Sequence, residues 1–443
     1  MAMGEARTKE RARQVAMVCL DELVPDDDRY RRIDELVGDN WGFVREAARP
    51  YYSDGVGRPS IDPTVLLKLM LAGALEGIRS MRELLRIAEL RLDLRLFLGY
   101  GLGDRLPAHQ TISEAQTQRF ADGEVFERLF LRTVALCKEQ GLIEGSHLSV
   151  DGFHAEADAA LRSLRASLEP IAGEADSEPH SEEAAAAEPP QLRLAEPRSG
   201  PTPKRKASNA TAVSTSDPEA RLKGKPGQRP HLVYRGQVAV DPKARCVAAC
   251  LGERAEGYEG DALAPVLDRV RFLLPALASV AADQGFAAER VWEDLADRRI
   301  VAHIPPQKTM LPRDGQEPRT NAQRLALAAK QRAKSAAGLW AHRRRMADAE
   351  GVIAELKNQH GLGRARRRGR PAFHVQLLLG CAAINLKRLA THSPAAHQGA
   401  AAAPKAAPAT LNAVNDRRQP DARRASIRLS RKQLVWTVNL CLN

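Results

Sequence analysis

Hydrophobic residues recur at three- and four-residue spacing through most of residues 1–145, which is the period of amphipathic helices. Asp62 followed by Pro63 predicts the start of one helix, because aspartate can accept a backbone N–H there and proline fits the first helical position. Gly77 predicts the end of that helix. This part of the chain is therefore expected to be an all-α domain.

Two further helix starts have the spacing of a capping box, in which a hydroxyl and a carboxylate three residues apart satisfy free backbone N–H groups. They are Ser80 with Glu83 and Thr111 with Glu114. Short helices joined by tight turns are compatible with a helix-turn-helix that binds DNA, and equally with ordinary helical packing. DNA binding is thus a hypothesis for this domain, and the packing alternative stays open.

The pattern changes at residue 146, where short alternating and apolar segments typical of β-strands begin. Two of these segments, 231–241 and 245–252, are separated by a turn at Pro242 and Lys243 and so predict an antiparallel hairpin. The order of strands and helices predicts an α/β fold with a mixed sheet flanked by helices. The other predicted strands are 147–151, 278–283 and 300–306, and the predicted helices are 261–277, 287–299 and 374–390.

Two segments lack the apolar residues of a folded core. Residues 168–205 consist largely of Ala, Glu, Pro and Ser, and residues 391–443 are rich in Ala and Pro and then basic. Such compositions bury too little apolar surface to offset the entropy lost on folding, so a disordered insertion and a disordered tail are expected. The predicted domains are residues 1–145 and 146–390, followed by the tail.

The chain has 443 residues and a formal net charge of +12, with a pI near 9.6, which favours a polyanionic partner such as nucleic acid. A membrane is not expected as a partner, since the most apolar runs, 65–75 and 375–386, are shorter than the roughly 20 residues that span a bilayer. The charged N-terminus has no secretory signal, so a cytoplasmic protein is expected. The scattered cysteines predict free buried thiols rather than a zinc site.

Two aspartates follow predicted strands, Asp151 in LSVDGFH and Asp283 in VAADQGF. A glycine at or near the next position lets the chain turn and leaves each carboxylate at the edge of the sheet, where open sheets bind ligands. Taken singly, such residues more often form turns or helix caps. Taken together, they are candidate ligands of a metal ion.

A third candidate carboxylate lies in the segment RRRMADAEGVIAELKNQHGLGRARRRG, residues 343–369. At about 100° per residue, Glu350 shares a helix face with apolar residues, whereas Asp348 and Glu355 point away, so Glu350 is expected on the sheet-facing side. A carboxylate on that side needs a cationic partner. The partner is either Arg345 or another residue of the helix in an ion pair, or a divalent cation shared with the two aspartates.

Basic side chains surround this helix. A polyanionic substrate has to be held against an acidic site, and an arginine cluster beyond the helix can do so, although such a run is also typical of a solvated basic patch. The members of the cluster are Arg364, Arg366, Arg367, Arg368 and Arg370, with Lys357 on the same face as Glu350.

In this order the motifs resemble those of the DDE transposases of bacterial insertion sequences. GRPSIDPTVLLKLMLAGALEGIRSMREL resembles their N-terminal helical domain, and VDGFHAEADAA and ADQGF resemble their two aspartate motifs. The segment 343–369 resembles the signature in which a catalytic glutamate precedes a lysine by seven positions. The resemblance covers most of residues 40–390 and implies an RNase H-like catalytic domain preceded by the helical domain.

The resemblance also implies roles for individual residues. Asp151, Asp283 and Glu350 are expected to bind two Mg²⁺ or Mn²⁺ ions, and Lys357 is expected to contact DNA near the scissile phosphate. Arg345 lies one position from the signature arginine, which is matched here by a methionine. The expected DNA-binding residues are Lys357, Arg343, Arg345, Arg364, Arg366, Arg367 and Arg368.

The function implied by the resemblance is metal-dependent cleavage at the ends of an insertion sequence and strand transfer into target DNA. The expected partners are the terminal inverted repeats and the target DNA, bound by a homodimer in the bacterial cytoplasm, in association with the nucleoid. The long acidic insertion and the tail depart from the family. A decayed, catalytically inactive DNA-binding protein or regulator is therefore the alternative, and a nuclease without transfer activity is a third possibility.

Overall fold

The structure of this chain is a computed structural model. The residues that it describes are 17–52, 60–166, 209, 212–224, 229–313 and 315–392. The predicted disordered insertion and the predicted tail, apart from the first two residues of the tail, lie outside this described part. No helix of the described part is both long and apolar enough to cross a membrane.

Helices make up the described residues before the first strand, as the sequence predicts. Asp62 accepts the N–H of Thr64 at 2.9 Å and Pro63 follows it, so the helix starts where expected. It ends before Gly77, whose φ of +67° favours glycine. The helices of this region are α1 (Leu20–Leu23), α2 (Arg29–Val37), α3 (Gly42–Ala48), α4 (Pro63–Leu75), α5 (Met81–Leu90), α6 (Leu92–Leu98), α7 (His109–Glu114) and α8 (Glu124–Glu139).

The two predicted capping boxes have different outcomes. Ser80 accepts the N–H of Glu83 at 3.4 Å at the start of α5, which confirms the first. The second is wrong, because α7 already begins at His109 and Thr111 lies inside its first turn. The helix starts at His109, two residues after Pro107 and two residues before the predicted capping residue.

A mixed sheet forms the centre of the region after α8. Its strands are β1 (His147–Glu156), β4 (Arg221–Lys223), β5 (His231–Asp241), β6 (Cys246–Arg254), β7 (Ser279–Ala281) and β8 (Val301–His303), while β2 (Leu164–Ala166) and β3 (Ala212–Ser214) form a separate pair. Strand β5 is antiparallel to β1 and β6, which confirms the predicted hairpin, and β7 and β8 continue the sheet parallel to β1. The order β6–β5–β1–β7–β8 gives the RNase H-like mixed sheet that the resemblance implies.

Helices flank this sheet, and one of the predicted helices is much shorter than expected. They are α9 (Leu263–Asp268), α10 (Glu289–Asp297), α11 (Asn321–Lys334), α12 (Ala336–Gln359) and α13 (Arg370–His392). The helix predicted for 261–277 ends at Asp268, after which the Val270 carbonyl accepts the N–H groups of both Leu273 and Leu274 in a turn. Pro275 has no N–H and disfavours a helical conformation of the residue before it, so a helix could not reach the predicted end at residue 277.

Helix α13 joins the N-terminal helices to the sheet. It packs against β6 on one side and against α8 and α4 on the other. The fully buried Asn385 accepts the N–H of Val247 at 2.8 Å, donates to the Val247 carbonyl at 2.9 Å, and donates to the Thr133 hydroxyl of α8 at 3.2 Å. A buried amide whose polar atoms are paired in this way fixes the register of α13 against both neighbours.

Candidate active site

Strands β1 and β7 bring the two predicted aspartates to the same level of the sheet. These strands are parallel neighbours, with Ser149 paired to Ala281, and Asp151 and Asp283 each lie two residues further along. β7 ends at Ala281 while β1 continues to Glu156, so the edge of β1 is open at this point. Asp283 follows the end of β7 and accepts the N–H of Gly285 at 2.8 Å.

Helix α12 lies across β1 and supplies Glu350, but on a different face from the predicted one. The residues that α12 buries are Gly338, Ala341, Arg345, Asp348, Ala349, Val352 and Leu356. Glu350 has 50% of its side chain exposed, whereas Asp348 is fully buried between Arg344 and Arg245, at 3.0 and 3.3 Å. The assignment of Glu350 to the sheet-facing side is therefore wrong. Small alanines and ion-paired polar residues form much of the buried stripe, so hydrophobicity alone did not identify it.

Arg345 links the helix carboxylate to the strand carboxylate. One nitrogen of its guanidinium lies 2.6 Å from Asp151 Oδ2, and the other lies 3.1 Å from Glu350 Oε1. The ion pair of Glu350 with Arg345, one of the two alternatives left open by the sequence, is thus present. The same guanidinium also contacts Asp151, so the two carboxylates face each other across a single cationic group.

Burial and mutual repulsion act together on these carboxylates. Burial raises the pKa of Asp151 to about 6, the guanidinium of Arg345 opposes the rise, and the charges of Asp283 and Glu350 add to it. A divalent cation would relieve this repulsion, and carboxylate oxygens are the donors that Mg²⁺ and Mn²⁺ prefer. The donor chemistry therefore fits such an ion, although among the described residues no three His, Cys, Asp or Glu side chains converge on one point with Arg345 in place.

Besides Arg345, helix α12 carries two predicted DNA-binding residues, Lys357 and Arg343. Lys357 Nζ is 5.3 Å from the centroid of the Phe153 ring, and because Phe153 is two residues beyond Asp151 on β1, Lys357 lies over the same face as that carboxylate. Burial lowers the pKa of Lys357. Arg343 is exposed and has no hydrogen-bond or ion-pair partner among the described residues, whereas Arg345 is buried in the bridge.

The arginine cluster after α12 divides into outward and inward side chains. Arg364 and Arg368 are about half exposed, and both contact Asp158. Arg366 turns inward towards the Gly73 carbonyl of α4, at 3.4 Å, and lines a cavity of about 250 Å³ bordered by α4, α5 and α13. Burial, with a smaller effect of the neighbouring Arg79, lowers the pKa of Arg366 to about 10. The position of Arg366 is that of a residue joining the N-terminal helices to the catalytic region.

This division gives a prediction for DNA binding. Replacing Arg364 and Arg368 together with glutamine is expected to weaken binding to all DNA sequences and to reduce the slope of log K against log salt concentration by roughly two, one for each lost phosphate contact. Arg366→Gln is the matched control, because an inward guanidinium should leave the slope unchanged. Binding titrations at several salt concentrations check this, and an equal reduction by Arg366→Gln would contradict the division.

One carboxylate near the site was not predicted from the sequence. Glu259 begins a short 3₁₀ turn, Glu259–Ala262, after β6, and its oxygens lie beside Gly152 and Gly285. In the sequence it stands in ERAEGYEGDA among several other acidic residues, with no neighbouring strand end to mark it. Only the folded chain places it next to Asp283.

Two protein-family models match regions of the chain. Residues 18–118 match the family described as Transposase domain (DUF772), and residues 201–386 match the family described as Transposase DDE domain. The second match includes Asp283 and Glu350, whereas Asp151 lies between the two matches. No curated protein sequence matches the chain.

One solved structure is similar to the chain, the piggyBac transposase synaptic complex with hairpin DNA. The similarity has a TM-score of 0.34 and 8% sequence identity, and it covers 84% of this chain and 75% of that chain.

The fold is an RNase H-like mixed sheet with acidic residues at the open edge of its central strand. The two family matches together cover more than half of the chain and specify the class of protein. The chain is a DDE-type transposase with an N-terminal transposase domain, an enzyme of metal-dependent DNA cleavage and strand transfer. Enzymes of this family act on DNA and use divalent metal ions.

Proposed function

We propose that Asp151, Asp283 and Glu350 are the metal ligands of this transposase and that they bind two Mg²⁺ or Mn²⁺ ions. The observation that carries this proposal is the contact of the Arg345 guanidinium with both Asp151 and Glu350. A side chain from the central strand β1 and one from helix α12 thus contact the same guanidinium. Asp283 is close enough to raise the pKa of Asp151.

Each residue has a distinct part in the proposed reaction. Asp151, fixed within β1, holds one negative charge at the open sheet edge, and Glu350 approaches it from the solvent side of α12. When bound, the ions supply an activated attacking hydroxyl and stabilise the leaving 3′ oxygen. Lys357, on the same face as Asp151, holds a phosphate near the scissile bond, and Arg343, Arg364 and Arg368 hold the flanking backbone.

The substrate of this proposal is the pair of ends of the protein's own element. Water attacks the phosphodiester first, and the freed 3′ hydroxyl then attacks target DNA, so the same carboxylates serve both steps. Both ends have to be held at once, which favours a homodimer bound to terminal inverted repeats. The site of action in the proposal is the bacterial nucleoid, where these DNA sequences lie.

A joining assay tests the proposal. The full chain is incubated with Mg²⁺ or Mn²⁺, labelled DNA that carries the ends flanking its reading frame, and a target plasmid. The expected result is cleavage at the ends followed by a covalent product with the plasmid. Binding without cleavage would identify an inactive DNA-binding protein, and cleavage without joining would identify a nuclease; either result overturns the proposal.

A further inference from the structure

Helix α13 begins with residues that cannot pair its own free N–H groups. Gly369 precedes the helix at a φ of +90° and has no side chain that could accept them, and Pro371 in the first turn has no N–H at all. The N–H groups of Gly369 and Arg370 have no partner within the helix, because the first turn offers none. They therefore need acceptors from elsewhere in the chain.

Two carboxylates from another part of the chain supply these acceptors. The buried Asp217 accepts the N–H of Gly369 at 3.3 Å, and the Tyr234 hydroxyl, which donates to the same Asp217 oxygen, accepts that N–H at 3.1 Å. Glu219 accepts the N–H of Arg370 at 2.8 Å. Carboxylates are favourable at this place because the N-terminus of a helix carries a partial positive charge. Helix α13 is thus capped from outside.

The capping segment, residues 216–221, is itself attached to the sheet. Its last residue, Arg221, starts β4 and pairs with Val233 of β5, which pairs on its other side with Glu156 of β1. Arg221 is buried, and its guanidinium donates to Glu256. The cap of α13 is therefore built on the same sheet that carries the candidate active site.

The arginine segment, residues 364–368, lies directly before this cap and is attached to the sheet at its other end. The N–H of Glu156 donates to the Gly363 carbonyl at 3.0 Å, and the N–H of Ala365 donates to the Glu156 carbonyl at 2.7 Å. These bonds place the start of the segment beside the last residue of β1. The two outward arginines of the cluster therefore belong to a short stretch that is held at both ends.

We infer that Asp217 and Glu219 are positioning residues for DNA binding, which hold Arg364 and Arg368 in place for phosphate contacts by capping α13. A segment that is already fixed in its bound conformation loses less conformational entropy when it binds. The inference rests on the proposed function, in which these two arginines hold the DNA backbone. Neither carboxylate touches DNA, so both act through the arginines.

Alanine variants of the two carboxylates test this inference. Asp217→Ala and Glu219→Ala are each expected to weaken binding of duplex DNA by the full chain about tenfold, which corresponds to ordering the backbone of roughly one residue. Loss of a negative charge alone would act in the opposite direction, because it removes repulsion of the phosphates. Affinities are measured in EDTA, so that no cleavage occurs. Binding by both variants as tight as that of wild type, or tighter, would overturn the inference.

Glu219 also allows a conservative substitution. Its side chain is 28% exposed, so it can be replaced without emptying the core, even if Asp217→Ala does not fold. Glu219→Gln keeps an oxygen that can accept the Arg370 N–H and is expected to bind DNA like wild type. If Glu219→Gln loses as much affinity as Glu219→Ala, the capping bond is not the cause and the inference fails.

A double-mutant cycle and a matched control separate positioning from general stability. In a chain that already carries Arg364→Gln and Arg368→Gln, Glu219→Ala is expected to cause no further loss of affinity, because the groups through which it acts are absent. Asn385→Ala removes a buried amide further along α13 and is expected to lower the melting temperature without changing DNA affinity. Full additivity in the cycle, or an equal loss of affinity by Asn385→Ala, would contradict the inference.

The same measurements distinguish this inference from the proposed function. They require no metal ion and are therefore independent of the proposed metal ligands. If the chain with Arg364→Gln and Arg368→Gln binds DNA as tightly as wild type, the proposed DNA contacts are wrong and the inference fails with them. If that chain binds weakly while the alanine variants of Asp217 and Glu219 bind normally, only the inference fails.

Discussion

Glu350→Gln is expected to abolish Mg²⁺-dependent cleavage while leaving folding and DNA binding intact. The glutamine keeps the shape of the side chain but removes the charge that the proposed ion requires. Loss of several kcal/mol of transition-state stabilisation corresponds to a rate reduction of about 10³-fold or more. Glu350 is half exposed and within the described part of the chain pairs with Arg345, so the stability of the fold should change little.

Glu355 on the same helix provides a matched control with the opposite outcome. It is largely buried and forms ion pairs with Lys387 and Arg388 of α13, at 2.7 and 2.6 Å, which together with a contact to His360 hold the pKa of its carboxyl well below the usual range. Glu355→Gln is therefore expected to lower the melting temperature and to retain cleavage below that temperature. It leaves two partly buried cationic groups without their partner.

Cleavage rates, DNA affinities and melting temperatures of the two variants are the measurements needed. A Glu350→Gln enzyme that cleaves at the wild-type rate would contradict the assignment of the metal ligands. A Glu355→Gln enzyme that keeps its stability but loses cleavage would move the catalytic role to the other glutamate of α12. Both variants carry the same Glu→Gln change on the same helix. A difference between them therefore reflects the position of the glutamate and not the chemistry of the substitution.

Local signals in the sequence predicted many elements of the fold. The hairpin of β5 and β6 and the start of α4 at Pro63 follow from alternation and capping, which depend on residues close together in the chain. The apolar helical period continues to residue 277 and so predicted too long a helix; Pro275 blocks its last turn, and α9 already ends at Asp268. Strand β1 extends five residues beyond Asp151, its predicted last residue. The chain does not turn at Gly152, because the later residues of the strand pair with β5.

The candidate site was predicted less completely than the fold. Strand ends located Asp151 and Asp283, but the orientation of Glu350 depends on which stripe of α12 is buried, and Asp348 lies in that stripe because two arginines neutralise it. Glu259 has no sequence motif that marks it. It lies beside Gly152 of β1, more than 100 residues away in the chain, and no local pattern records this contact.

Arg345→Met is expected to lower the stability of the metal-free protein and to make it dependent on Mg²⁺. Asp151 is 13% exposed, and loss of its guanidinium partner leaves a nearly buried carboxylate without a counter-charge. Breaking a buried ion pair in this way costs about 3 kcal/mol or more. Added Mg²⁺ should restore much of this loss, because the ion can take the position between Asp151 and Glu350 that the guanidinium no longer occupies.

The dependence on pH has a definite sign. The pKa of Asp151 is raised from 3.8 to about 6 in the folded protein, so the stability contributed by its neutral form is full below pH 3.8 and is lost as the pH rises through 6. Removing Arg345 takes away the group that opposes this rise. The deficit of Arg345→Met relative to wild type should therefore be smallest near pH 4 and grow towards neutral pH.

Arg344→Met is the matched control for this prediction. Arg344 pairs with the buried Asp348 at 3.0 Å, one turn further along α12, so its loss should also lower the melting temperature. Within the described residues Asp348 has ion pairs with Arg344 and Arg245 and with none of the proposed metal ligands, so Mg²⁺ should not restore the stability of that variant. Thermal unfolding in EDTA and in Mg²⁺, at pH 4 and pH 7, measures the loss of stability in each variant, its rescue by Mg²⁺ and its dependence on pH. Equal rescue of both variants by Mg²⁺ would show that the ion stabilises the chain somewhere other than between Asp151 and Glu350, and the proposed ligand set would have to be abandoned.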